Sequence, residues 1–209
     1  MRCYRGCRPV RLPPEPQQRS IRARRHPHRP KTATETATAT AETAETAELV
    51  ARFKTAFRRH PAGVAVVTAK APSGPVGLTA SSVASVSADP PALAFSVTSS
   101  AGSAGAVLSA PTFMVNLLRS TQAELARAFA VSGAPRFTPD QGWTTLDTGE
   151  PVLRGAASAL RCRPLRTVTV GGSTLILAEV LEIEHGETGS PLVFHDRTFH
   201  ALSNGSALA

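Results

Sequence analysis

The chain has 209 residues, with 23 Lys or Arg against 15 Asp or Glu, for a formal charge of +8. That length allows one ordinary domain with a tail, and the charge invites a nucleic-acid reading. The charge is uneven, however: residues 1–31 hold ten basic residues and one acid, net +9, while residues 32–209 hold thirteen basic and fourteen acidic residues, net −1. No apolar run is long enough for a transmembrane helix, so no membrane partner is expected. Cys3, Cys7 and Cys162 are too few for a disulfide scaffold, which makes a reducing, cytoplasmic setting the default expectation.

Residues 1–31 carry six of the seventeen prolines and little that is apolar. Such a segment cannot bury enough surface to offset its chain entropy. A secretory signal is not expected, because no apolar run follows Arg24 and Arg25. Prolines oppose the amphipathic helix of a transit peptide, and Tyr4 alone is no aromatic platform for nucleic acid. Cys3 and Cys7 lack a second ligand pair, so no metal is assigned. Residues 32–47 contain only Thr, Ala and Glu after Lys31 and read as a linker with some helical tendency. Residues 1–47 are therefore expected to be a disordered basic tail and linker, and residues 48–209 a domain.

In the body, Leu49, Phe53 and Phe57 recur at i, i+4 and i+8, which predicts an amphipathic helix over 48–60, ended by Pro61 and Gly63. Residues 64–69 read as a strand, 72–75 as a turn and 76–86 as a second strand. Asp89-Pro90-Pro91 breaks the chain before a strand over 92–98. A short helix is expected near 106–108 and a strand over 112–118. Thr121 and Glu124 are spaced as a capping box, predicting a helix that ends at Ala130. Residues 131–150 show little periodicity and read as the longest loop. Strands are expected over 156–162, 165–170, 174–184, 192–195 and 199–202. Eight or nine strands without βαβ alternation favour an antiparallel barrel with peripheral helices over a doubly wound sheet.

The chain lacks the dinucleotide-binding glycine fingerprint, the P-loop, the nucleophile elbow and paired metal-ligand cysteines. Present instead is a density of small hydroxyl residues: Thr79, Ser81 and Ser82 around one strand, and Thr98, Ser99, Ser100 and Ser103 after another. Hydroxyls near a helix start suit a phosphate or the edge of a flavin. Close packing, or a plain loop, accounts for them equally well on composition.

The order of motifs over residues 49–203 resembles the short-chain flavin reductases. The residues that carry it are Ala62-Gly63-Val64, Gly77-Leu78-Thr79-Ala80-Ser81-Ser82, Ser85-Val86-Ser87, Pro90-Pro91 and Phe113-Met114-Val115-Asn116-Leu117-Leu118. Arg136-Phe137, Gly142-Trp143, His195 and Phe199 then follow in the family order. The resemblance implies a mostly β, FMN-binding split β-barrel of Greek-key type with peripheral helices, assembled as a homodimer. It implies hydride transfer from NADH or NADPH to FMN or FAD, with reduced flavin supplied to a partner monooxygenase. This chemistry depends on placement more than on acid–base groups, so no certain catalytic residue is named.

By the resemblance, Thr79, Ala80, Ser81 and Ser82 line the flavin ring, and Thr98, Ser99, Ser100 and Ser103 hold the ribityl phosphate. Asn116 either fixes its strand or touches flavin. Where the family has a Gly-Asp-His hairpin that helps hold nicotinamide, this chain has Gly171-Gly172-Ser173. Ser173, His195 and Phe199 are the candidates for the nicotinamide side; a lone His such as His195 is otherwise a packed or surface residue. The departure at Ser173 keeps open a flavin-binding barrel or oxidase with little NAD(P)H activity. Nucleic-acid binding through the basic tail is a further alternative, without support from the body.

Overall fold

The computed structural model describes residues 33–98 and 101–208. The chain divides into two units, residues 1–47 and 48–209. The disorder and nucleic-acid readings of residues 1–31, and the positions of Ser99 and Ser100, lie outside the described residues.

The first helix, α1, spans Ala33–Arg58, and so begins well before the expected residue 48. Ala and Glu favour helix, and no Gly or Pro interrupts the Thr/Ala/Glu stretch. Its stripe of Leu49, Phe53 and Phe57 forms as predicted but lies exposed, at 66%, 60% and 61%.

Seven strands build the main sheet: β2 (Ala65–Ala71), β3 (Gly74–Ala80), β4 (Ala84–Ala88), β5 (Pro91–Thr98), β6 (Phe113–Leu117), β9 (Ser158–Val170) and β10 (Ser173–His185). Their order is β3-β2-β6-β9-β10-β5-β4, and every neighbouring pair is antiparallel. A small sheet joins β1 (Ala62–Gly63), β11 (Leu192–His195) and β12 (Thr198–Ala201), and a third pairs β7 (Trp143–Thr145) with β8 (Pro151–Leu153). Helices α2 (Gly102–Ser109) and α3 (Ala123–Ala130) are peripheral. No backbone ladder joins the edge strands β3 and β4. Just before β4, Ser82 lies opposite Ser96 in the continued β4–β5 register, and its hydroxyl donates to Ser96 O at 3.2 Å and accepts the Ser96 N–H at 2.9 Å. The result is the expected split barrel with peripheral helices.

Strand β2 explains why its sequence reads as a continuous apolar run. Ala65, Val67 and Ala69 face a core shared with Phe95, Val97, Phe113, Val115 and Ile176, while Val66, with Val64 just before the strand, faces a second core with Leu118, Ala126, Phe129 and Leu192. A strand covered on both faces has no polar alternation to show.

Three expectations need correction. The predicted strand over 76–86 is two strands at opposite edges of the sheet, broken at Ser81-Ser82-Val83. The strands expected at 156–162 and 165–170 are one, β9, which tolerates Pro164 because β6 pairs only as far as Cys162 and a register shift lies alongside. The capping box at Thr121 and Glu124 does not form: a 3-10 turn, Ser120–Gln122, precedes α3, and Gln122 Oε1 accepts the Arg119 N–H at 2.9 Å.

Candidate active site

The break after β3 opens a cleft of about 780 Å3. It is lined by Leu78, Thr79, Ala80, Ser81 and Ser82, by Ser96, Val97 and Thr98 on β5, and by Ala101, Gly102 and Ser103 at the start of α2. Phe129, Ala130, Ser132, Gly133 and Arg136 complete it. The structure thus brings together Thr79, Ala80, Ser81, Ser82, Thr98 and Ser103 from three separate segments.

Local packing explains the Gly77-Leu78-Thr79 motif. A Cβ on Gly77 would stand 2.8 and 3.0 Å from Phe129 ring carbons and 3.0 Å from the Thr68 methyl. Only glycine lets the Phe129 ring lie against β3. Phe129 in turn packs on Phe137 and Trp143, with centroids 5.0 and 5.2 Å away. Thr79 Oγ1 donates to Ala126 O at 2.6 Å, binding β3 to α3. Its proton is therefore engaged, and toward a ligand it offers lone pairs.

Asn116 is brought elsewhere. It is fully buried, and its Nδ2 donates to Val66 O at 3.0 Å and to Thr68 Oγ1 at 3.3 Å, while its Oδ1 accepts from Leu153 N at 3.0 Å. It does not line the cleft. Of the two roles open to it, these bonds match strand fixing: the amide clamps β2, β6 and β8.

Ser173 begins β10 directly opposite Thr98, so it borders the cleft without lining it. His195 lies beside His200, with ring centroids 5.8 Å apart, and lines neither major cleft. Phe199 stacks on Phe194 at 5.3 Å and carries the Arg127 guanidinium 5.2 Å above its ring.

A second cleft, about 840 Å3, shares Ser81 and Ser82 with the first. Lys54, Phe57, Arg58, His60, Phe194 and Arg197 contribute to its lining. The Arg58 side chain pairs with Asp196, and the Arg58 carbonyl accepts the Asp196 N–H, which anchors the β11–β12 turn to the end of α1. Lys54 and Arg197 have no carboxylate partner among the described residues. Sequence reasoning missed Phe194 and Arg197, and met Arg136 only as part of the motif order, without a site role. Their neighbours are remote in the chain, and no periodicity marks them.

No cluster of His, Cys, Asp or Glu suited to a metal occurs among the described residues, and no helix there is long and apolar enough to cross a membrane. Neither cleft is lined by a carboxylate.

Residues 57–203 match the model of the flavin reductase like domain. The chain is 38% identical over 152 residues to an NADH:FMN oxidoreductase of Rhodococcus erythropolis, covering 71% of this chain and 79% of that one. A solved flavin reductase domain protein from an Arthrobacter species superposes with a TM-score of 0.69 at 33% identity, over 73% of this chain and 95% of that one. The styrene monooxygenase flavin reductase of Pseudomonas putida superposes with a TM-score of 0.65 at 30% identity, over 72% and 97%. The chain belongs to the flavin reductase like family.

Proposed function

We propose that this chain transfers hydride from NADH to a flavin, FMN foremost, and supplies the reduced flavin to a separate monooxygenase. The observation that carries this reading is the cleft along Thr79–Ser82, adjoined by a second cleft that shares Ser81 and Ser82 in its lining, in a chain whose relatives include a named NADH:FMN oxidoreductase and a monooxygenase flavin reductase.

The residues present fit a flavin. The volume lies within the roughly 300–1,000 Å3 of small-molecule sites, the wall of small residues leaves backbone accessible to a flat ring, and Ser103 with Arg136 lines the cleft for a phosphate. A bound flavin supplies the hydride acceptor; the chain's task is placement. The Ser82–Ser96 and Thr79–Ala126 bonds hold the wall rigid. Thr98, with Ser99 and Ser100 by the family resemblance, completes the phosphate end. The nicotinamide dinucleotide enters by the second cleft, where Lys54 and Arg197 offer cations to its phosphates and Phe57 and Phe194 offer ring faces.

The apolar residues left exposed, Leu49, Phe53 and Phe57 on α1 and Val86, Val168 and Leu175 on the sheet, support a homodimer. A free buried thiol at Cys162 suits a reducing, cytoplasmic setting.

The test is purified full-length protein with FMN, FAD, NADH and NADPH in turn. Flavin-dependent loss of the nicotinamide absorbance is expected, fastest with NADH and FMN. Flavin binding without nicotinamide oxidation supports the binding-only reading motivated by Ser173, and absence of flavin binding refutes both. Sedimentation should report twice the chain mass.

A further inference from the structure

Arg136 follows α3 in a loop and is half-buried. Its guanidinium donates in four directions: Nε to Ala128 O at 3.2 Å, Nη2 to Val131 O at 2.7 Å, and Nη1 both to Gly77 O at 2.9 Å and to Ser103 Oγ at 3.1 Å. Its Cζ lies 5.5 Å from the Phe129 ring centroid. One side chain thus ties together the end of α3, strand β3 and the first turn of α2, which are three walls of the first cleft.

Two features make this more than a brace. Arg136 is the one charged side chain lining that cleft among the described residues, and no carboxylate there pairs with it. A cation held without a counter-ion at the edge of a cleft is poised for an anionic ligand. Second, guanidinium nitrogens only donate, so Ser103 Oγ must accept from Arg136. The Ser103 proton then points elsewhere, and it has no other hydrogen-bond partner among the described residues, while the residue lines the cleft.

We propose that Arg136 is a positioning residue that makes this cleft selective for phosphorylated flavins over riboflavin. It presents the Ser103 hydroxyl as a donor to the phosphate and adds the charge that favours the anion. This rests on the flavin reading of the cleft.

The test is fluorescence titration of full-length protein with FMN and with riboflavin. The wild type should bind FMN at least tenfold tighter. Arg136→Gln should weaken FMN by about ten- to a hundredfold, the worth of a charge-assisted hydrogen bond, and riboflavin by less than threefold. Ser103→Ala should also weaken FMN selectively, and the losses in Ser103→Ala/Arg136→Gln should be less than multiplicative, because Arg136 acts partly through Ser103. Arg136→Lys, which keeps the charge but cannot hold four acceptors, should lower the FMN-to-riboflavin preference at least threefold, and it decides the matter if the Gln variant does not fold. An unchanged preference in these variants, including equal loss of both ligands, overturns the proposal. A wild type that binds both flavins equally also overturns it while leaving the flavin reading intact; a wild type that binds neither refutes that reading itself.

Discussion

Protonating Glu150 should cost the fold about 3 kcal/mol, and the cost should vanish in Glu150→Gln. Glu150 is 2% exposed. Burial alone would raise its carboxyl pKa, but hydrogen bonds from Thr112, Thr148 and Arg161 outweigh burial and bring it from 4.5 down to about 2. Arg161 Nε approaches Oε1 at 2.9 Å, and the same contact raises the Arg161 pKa. Because the folded pKa lies below the unfolded one, the stabilisation is complete above about pH 4.5 and is lost as pH falls toward 2. A shift of this size is worth roughly 3.4 kcal/mol at neutral pH, falling to about 1.4 kcal/mol at pH 3. Urea unfolding of wild type and Glu150→Gln at pH 7, 4 and 3 isolates the group, since every other acid is common to both chains. The difference in unfolding free energy should shrink by about 2 kcal/mol from pH 7 to pH 3. A difference that is constant with pH would show that Glu150 has the same pKa folded and unfolded, and a difference that grows as pH falls would show that burial outweighs its hydrogen bonds.

Gly77→Ala should destabilise by about 1–3 kcal/mol, because the new methyl meets the Phe129 ring at 2.8 Å and that ring is confined by Phe137 and Trp143; unfolding within 0.5 kcal/mol of wild type would mean the ring can move. Asn116→Ala should cost about 1–3 kcal/mol in urea by orphaning the buried Leu153 N–H. Its folded fraction should bind FMN within threefold of wild type, whereas a larger loss would return Asn116 to the binding site. Burial pushes the Cys162 thiol up to about 12, leaving on the order of one part in ten thousand as thiolate at pH 8. In a Cys3→Ser/Cys7→Ser chain, thiol reagents should therefore label Cys162 only on unfolding, and rapid labelling of folded protein would contradict its burial.

The parts of the fold that are local were legible. Short β-branched runs between Gly and Pro signals mark β2, β5, β10 and β11, and the order of small-residue motifs led to the cleft wall at Thr79–Ser82. What failed depends on contacts across the chain. Nothing within residues 76–86 says that the chain leaves one edge of the sheet at Ser81 and rejoins it at the other. Pro164 looks like a strand breaker until β6 is seen to stop at Cys162. Glu150 reads as one more loop acid, because Thr112 and Arg161 reach it only after folding. Arg136 leaves still less trace, since three of its four acceptors are backbone carbonyls, which exist at every position of any sequence.

The break at Ser81-Ser82-Val83 has a consequence for how far this fold tolerates improvement. Regular strand pairing through this break would add backbone hydrogen bonds of about 0.5–1.5 kcal/mol each and replace the Ser82 side-chain contact to Ser96 with a sealed wall. Ser81 and Ser82 line both clefts, so on the proposed reading a sealed wall there would separate the flavin from the nicotinamide. Selection for a tighter barrel and selection for turnover then act in opposite directions on Ser81 and Ser82, and stabilising changes should accumulate elsewhere on this barrel before they appear there.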